Sequence, residues 1–219
     1  MSTFQGVILD VDGTLVDSNQ AHARAWLAAF REQGYNADFD QILRLVGMGG
    51  DHLIPEVCGL DKDSPEGEAI NKRRGEMFKT QELPKLKAFP QTRELLEAMC
   101  ACGLRLAVAS SAQGDELTPL LELAGAKDLI EAQTSSSDAQ KSKPDPDIVQ
   151  AALAKLGLEP AQTVMLGDTP YDIESVGKAG VRVIALRSGG WDDQALHGAL
   201  AIYDDPADLL AHFEQSPLA

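Results

Sequence analysis

Positive charge is scarce in this chain: 19 Lys and Arg stand against 34 Asp and Glu, a formal net charge of −15 over 219 residues. A surface that acidic repels nucleic acid and anionic membranes, so neither is expected as a partner. It also repels an anionic small molecule at long range. A site for one then needs its own positive charge, from lysine, arginine, a metal ion or helix N-termini. Long apolar runs are missing as well; none reaches the roughly 18 residues that a bilayer span requires. The opening residues, Met1-Ser2-Thr3-Phe4-Gln5-Gly6, lack the basic start and apolar core of a secretory signal, and a cytoplasmic location is the expectation. Cysteine is limited to Cys58, Cys100 and Cys102, an odd number without zinc-type spacing. Cys100 and Cys102 fall near the end of a helical pattern and are expected to pack as small apolar groups. What remains, 44% hydrophobic and 24% charged, is an ordinary globular composition, enough for one large domain or a domain with a smaller appendage.

The stretch Val7-Ile8-Leu9-Asp10-Val11-Asp12-Gly13-Thr14 carries the first chemical signal. Consecutive rather than alternating apolar residues predict a strand buried on both faces, as in a parallel sheet. Its two carboxylates sit where such a strand ends, which is where open α/β sheets bind their ligands. Alone, the same residues also make an ordinary Asx-type turn.

The next elements read as helices. Ala21, Ala25, Trp26, Ala28, Ala29 and Phe30 form an amphipathic face after a turn and cap at Val16-Asp17-Ser18-Asn19. Phe39–Val46, Leu53–Val57 and Glu68–Phe78 continue the pattern without a strand. Helix and strand then alternate: helix Thr92–Cys102, strand Leu104–Ser110, helix Glu116–Ala124, short strand Leu129–Ala132, helix Asp147–Leu156, strand Thr163–Leu166, helix Ile173–Ala179 and strand Val181–Leu186. An edge strand at Leu200–Tyr203 and a helix at Pro206–Phe213 end the chain. Repeated βα units imply an α/β fold, a doubly wound Rossmann-like parallel sheet. Residues 1–17 and 85–219 form its core, and residues 18–84 form an inserted all-helical unit.

In a parallel sheet, the strand ends bring Asp10, Asp12, Ser110 and Asp168-Thr169-Pro170-Tyr171-Asp172 to one edge, with Lys143-Pro144 ahead of a helix nearby. This set suits phosphoryl transfer. A carboxylate can attack phosphorus, and a neighbouring carboxyl group can protonate the leaving alkoxide and then activate water. Mg²⁺ prefers oxygen ligands of this kind. A serine hydroxyl and a lysine ammonium can hold phosphate oxygens as charge builds on them.

These four segments, in this order, resemble the four motifs of the haloacid dehalogenase (HAD) superfamily, over the whole chain. The resemblance implies that Asp10 is nucleophile and Mg²⁺ ligand, and that Asp12 is general acid/base and lends its backbone carbonyl to the metal. It implies that Ser110 and Lys143 bind the phosphoryl group, and that Asp168 ligates Mg²⁺ with Asp172 supporting it directly or through water. Dehalogenases of the superfamily lack the second aspartate, so Asp12 argues for phosphate chemistry. Receiver domains share an aspartyl phosphate and a Lys-Pro, but they are about half this length and carry no helical insertion.

The insertion is similar in position to the helical cap of this superfamily, the branch containing phosphoglycolate phosphatases and β-phosphoglucomutases. His22, Gly47, Gly49 and Gly50 are candidates to face the substrate. His22 and Trp26, four residues apart, are expected in the hinge packing. Arg73, Arg74 and Lys79 are candidates for an anionic substrate tail, although such helix charges are ordinarily solvated. The mutases carry a cap-loop arginine where Gly49-Gly50 stands, and no match exists for the Schiff-base lysine of phosphonate hydrolases. The expected function is therefore Mg²⁺-dependent hydrolysis of a small phosphorylated metabolite, phosphoglycolate- or sugar-phosphate-like, with a mutase as the alternative. A monomer or small homo-oligomer is expected.

Overall fold

The computed structural model describes residues 4–219 and contains a six-stranded, all-parallel sheet in the order β3-β2-β1-β4-β5-β6. The strands are β1 (Gly6–Leu9), β2 (Arg105–Ala109), β3 (Ala132–Thr134), β4 (Thr163–Gly167), β5 (Arg182–Leu186) and β6 (Ala201–Tyr203). β1 lies between β2 and β4, the point at which strand order reverses. Its side chains divide by pleat. Val7 and Leu9 join Leu106, Val108, Val164 and Leu166 on one face, and Ile8 joins Ala107, Met165 and Val183 on the other. All three are fully buried, which explains the unbroken apolar run, and each contributes about 1.5–3 kcal/mol of burial.

Helices α5 (Thr92–Ala101), α6 (Gly114–Leu123) and α9 (Pro206–Ala211) supply Leu95, Leu96, Leu117, Leu120 and Leu209 to the first face. α7 (Asp147–Leu156) and α8 (Pro170–Ala179) supply Ile148, Val149 and Val176 to the second. Between β1 and α5 stand α1 (Asn19–Glu32), α2 (Phe39–Leu45), α3 (Gly50–Cys58) and α4 (Pro65–Met77). They pack on a cluster of their own, built on Trp26, Phe30, Ile42, Leu53, Ile54 and Ile70. A π turn at Phe78–Glu82 leads back toward the sheet.

Some boundaries differ from expectation. α4 and α8 begin earlier because Ser64 and Thr169 cap them, accepting from the backbone N–H of Gly67 and Asp172. The strand expected at Leu129–Ala132 is displaced to Ala132–Thr134. Leu129 and Ile130 pack on the core from a connecting segment, and pairing with β2 starts only at Ala132 opposite Ala107. Cys100 and Cys102 are exposed rather than packed, since they lie at the solvent-facing end of α5.

Candidate active site

The register of the sheet determines which acids meet. Leu9 is paired with Leu166, and the Asp10 backbone N–H donates to the Leu166 carbonyl at 2.9 Å. Asp10 and Asp168 therefore emerge side by side from β1 and β4. Asp172 joins them from the first turn of α8. There it closes a capping box with Thr169: its Oδ2 accepts from the Thr169 backbone N–H at 3.0 Å and from the Thr169 hydroxyl at 2.7 Å. Asp10, Asp168 and Asp172 each present an oxygen within 4.8 Å of the others.

The cation of the cluster is Lys143, delivered by the loop before α7 and almost wholly buried. Its ammonium pairs with Asp10, and with Asp172 at 2.8 Å. The Asp168 carboxylate is oriented by the Thr14 hydroxyl at 2.9 Å and the Asn19 amide at 3.0 Å. Backbone closes around it as well. A Cβ on Gly13, which holds φ at +78°, would lie 2.1 Å from Asp168 Oδ2, and one on Gly189 would lie 2.0 Å away. Only glycine fits either position.

Lys143 pairs with two of the three buried carboxylates and leaves the third without a cation, and the pKa values of Asp10 and Asp168 respond. Burial pushes Asp10 up to about 7 against the pull of Lys143, with Asp172 and Asp12 adding repulsion. Asp168 is raised well above the ordinary carboxylate range by burial and by its charged neighbours. Such a hard-oxygen cluster, with negative charge in excess, fits a divalent cation of the Mg²⁺ class.

Asp12 has a different environment. Its Oδ1 accepts from the Ser18 hydroxyl at 2.5 Å and meets His22 Nε2 at 2.8 Å. Burial alone would raise its pKa, but His22, Ser18 and Lys143 together outweigh it and hold Asp12 below the ordinary value. Its carboxylate is held by the start of α1 and is not one of the three acids whose oxygens converge. The Ser110 hydroxyl, at the end of β2, accepts the Ala112 backbone N–H at 3.1 Å.

The glycines of the α2–α3 loop form the opposite wall. Gly47, Gly49 and Gly50 line a pocket with Asp10 and Asp12. A Cβ on Gly49 would sit 2.1 Å from Ser142 Oγ, so this loop is seated directly on the segment that carries Lys143. Asp51 accepts the Ser142 backbone N–H at 2.9 Å, and Tyr171 donates to the Arg44 carbonyl at 2.6 Å.

Three residues of the site, Arg74, Ser18 and Asn19, depart from the sequence reading, and His22 makes a contact it did not foresee. His22 turns to Asp12 and stacks on Phe78, at the turn that leads back to the sheet, with ring centroids 3.9 Å apart, while Trp26 stacks on Phe30. Arg74 is not a solvated helix charge: it is buried, lies over the Trp26 ring at 5.0 Å, and pairs with the fully buried Glu116 of α6. Arg73 and Lys79 do pair at the surface, with Glu32 and Asp115. Ser18 and Asn19, read as a helix cap, give their side chains to the two acids, and Ser18 makes no capping bond.

A model of the haloacid dehalogenase-like hydrolases matches residues 7–186. The phosphoglycolate phosphatase of Rhodospirillum rubrum is 32% identical over 215 residues, covering 94% of this chain and 89% of that protein. The N-acetylmuramic acid 6-phosphate phosphatase of Pseudomonas aeruginosa is 28% identical over 210 residues, covering 94% and 93%. The crystal structure of a hydrolase from Pseudomonas syringae superposes with a TM-score of 0.89 at 27% identity, covering 96% of this chain and 98% of its own.

Proposed function

The chain belongs to the haloacid dehalogenase-like hydrolases, and from that premise we propose that it is a Mg²⁺-dependent phosphatase that hydrolyses small phosphomonoesters through an aspartyl phosphate on Asp10. The observation that carries this reading is the convergence of Asp10, Asp168 and Asp172 with the buried Lys143 at one sheet edge.

In the first half-reaction a carboxylate oxygen of Asp10 forms a bond to phosphorus while the ester P–O bond breaks. The departing alkoxide takes its proton from Asp12. In the second, water attacks the same phosphorus and gives a proton to the Asp12 carboxylate; the bond to Asp10 breaks and inorganic phosphate leaves. Asp12 starts ionised, held so by His22 and Ser18. An arriving dianionic phosphate raises its pKa by like-charge repulsion, which supplies the acid form when the alkoxide needs it. Lys143 and Ser110 hold the equatorial phosphate oxygens. Asp10, Asp168, Asp172 and the backbone carbonyl of Asp12 would hold Mg²⁺, whose charge offsets repulsion between Asp10 and an anionic phosphate.

The helical segment 18–84 acts in this reading as a cap over the core formed by 1–17 and 85–219, excluding water from the site. Mutase chemistry would need a grip for a second phosphate in the cap. The glycines at 47, 49 and 50 offer none, and Arg74 is already matched by Glu116. The test is phosphate release with Mg²⁺ across a panel of phosphorylated metabolites, including β-glucose 1-phosphate with its bisphosphate activator. Turnover that requires Mg²⁺ and Asp10 supports the reading. Activity undiminished by EDTA, or by Asp10→Asn, overturns it.

A further inference from the structure

Among the described residues the main chain of Lys143 makes no hydrogen bond of its own, so the position of its ammonium is inherited from the residues on either side. Most of those neighbours are tied to the core. The Lys141 N–H donates to Asp147 of α7 at 3.2 Å. From α8, Lys178 donates to the Pro144 carbonyl at 3.0 Å and Ser175 to the Asp145 carbonyl at 2.8 Å. The Asp145 N–H closes the turn on the Ser142 carbonyl at 3.0 Å. One tie is of another origin. The Ser142 N–H donates to the Asp51 carboxylate at 2.9 Å, and Asp51 stands in the first turn of α3, in the inserted segment.

His52, next on the same turn of α3, reaches the other end of the loop: its Nε2 lies 3.2 Å from Asp145 Oδ2 and 3.6 Å from Asp51 Oδ2. The inserted segment therefore holds the chain one residue before Lys143 and two residues after it. Ser142 is buried and the Asp51 side chain is 15% exposed, so a Ser142 N–H stripped of the carboxylate has little water to turn to. An ionised acceptor makes this the strongest kind of backbone tie. Lys143 needs such a tie because its four-carbon stem is flexible, while its ammonium has to serve Asp10, Asp172 and a phosphate oxygen from one point. A misplacement of about 1 Å at such a point costs about a hundredfold in rate.

Resting on the phosphatase reading above, we propose that Asp51 is a positioning residue for Lys143, with His52 as its second tie. Together they clamp the 142–145 turn from the inserted segment, and the ammonium is set for the phosphoryl group only while α3 is seated on that turn. Asp51 and His52 do not line the pocket that contains Asp10 and Asp12; they act through Lys143.

The experiment is steady-state kinetics with Mg²⁺ on p-nitrophenyl phosphate and glycerol 3-phosphate, with urea unfolding of each variant alongside. Asp51→Ala is expected to lower kcat about tenfold on both esters, with KM within about twofold of the parent. Asp51→Asn, whose side-chain oxygen still accepts the Ser142 N–H, is expected to recover most of the lost kcat. His52→Ala is expected to lower kcat about threefold. Where Asp51→Ala does not fold, Asp51→Glu, whose longer stem moves the acceptor, takes its place with the same expectation. A raised KM at unchanged kcat reduces Asp51 to a contact of the seam and overturns the proposal. A loss confined to one ester makes Asp51 a leaving-group contact and overturns it too, as does an Asp51→Asn variant as impaired as Asp51→Ala. An unchanged kcat in His52→Ala overturns the two-point clamp. All of these outcomes leave the phosphatase reading intact, whereas a parent that releases phosphate from neither ester overturns that reading itself.

Discussion

Replacing Glu116 by leucine leaves the Arg74 guanidinium buried without a counter-charge, and Arg74→Met does the reverse to Glu116. The pair joins α4 to α6 with side chains 6% and 0% exposed. Stranding either charge in such a place costs about 3–5 kcal/mol, whereas replacing both with apolar groups of similar volume is about neutral. The molecule has a way to reduce the cost of a single change. α4 belongs to the inserted segment and α6 to the sheet's own layer, so parting the two rehydrates the stranded charge. The deficit is then divided between global stability and closure. Each single variant is expected to lose about 3 kcal/mol in urea unfolding, or about 6–12 °C in Tm for a chain of this size, and to show a raised KM. R74M/E116L is expected to recover most of the stability but not the KM, because the Arg74 N–H donors are gone from the pocket wall. Urea midpoints and steady-state kinetics on the four proteins of the cycle give the coupling energy directly. Single variants within about 1 kcal/mol of the parent, with coupling near zero, refute the claim that this is a buried, mutually dependent ion pair.

Asp10→Asn is expected to lower phosphate release by about a thousandfold or more, since an amide cannot serve as the nucleophile; a colorimetric phosphate assay reads it. EDTA is expected to abolish release and added Mg²⁺ to restore it. His22→Ala removes a partner of Asp12 and is expected to lower kcat about tenfold with little change in KM, measured in initial-rate curves. Gly49→Ala places a Cβ 2.1 Å from Ser142 Oγ and 2.5 Å from Asp51 Oδ1 and is expected to raise KM by displacing the loop; Ser142→Gly in the same chain should recover part of the loss. Burial would raise the pKa of Glu82, but Arg24 and Lys85 outweigh it and leave it lowered. Its stabilising contribution is therefore full above its unfolded value of 4.5 and lost as pH falls through the lower folded value. Glu82→Gln is expected to cost on the order of 1 kcal/mol in urea unfolding at pH 7, after allowing for the half-exposed Arg24, and almost nothing once pH falls below the lowered folded value.

The acidic edge was legible because Asp10 and Asp168 are each announced by an apolar strand. Val7-Ile8-Leu9 and Val164-Met165-Leu166 are continuous apolar runs that end in an acid, and a parallel sheet aligns such ends. The helical segment offers no equivalent. Arg73, Arg74 and Lys79 look alike along α4, and what distinguishes Arg74 is Glu116, 42 residues away, whose burial no local pattern encodes. Ser18 and Asn19 were hidden for another reason. Both residue types are frequent helix caps, so their local preference masked their tertiary contacts to Asp12 and Asp168. The displaced β3 shows the weakness of reading apolar runs by themselves: Leu129 and Ile130 are apolar because they cover the core from a loop, while the short strand that pairs is Ala132-Gln133-Thr134.

Because Arg74 carries its own counter-ion, shutting the cleft needs no charge from the substrate. The Asp51–Ser142, Tyr171–Arg44 and Ser111–Gly47 contacts add to a closed arrangement that is electrically complete from within. These bonds must part before the helical segment can separate from the sheet edge. Tyr171→Phe, which removes one of them, is expected to raise KM in steady-state kinetics.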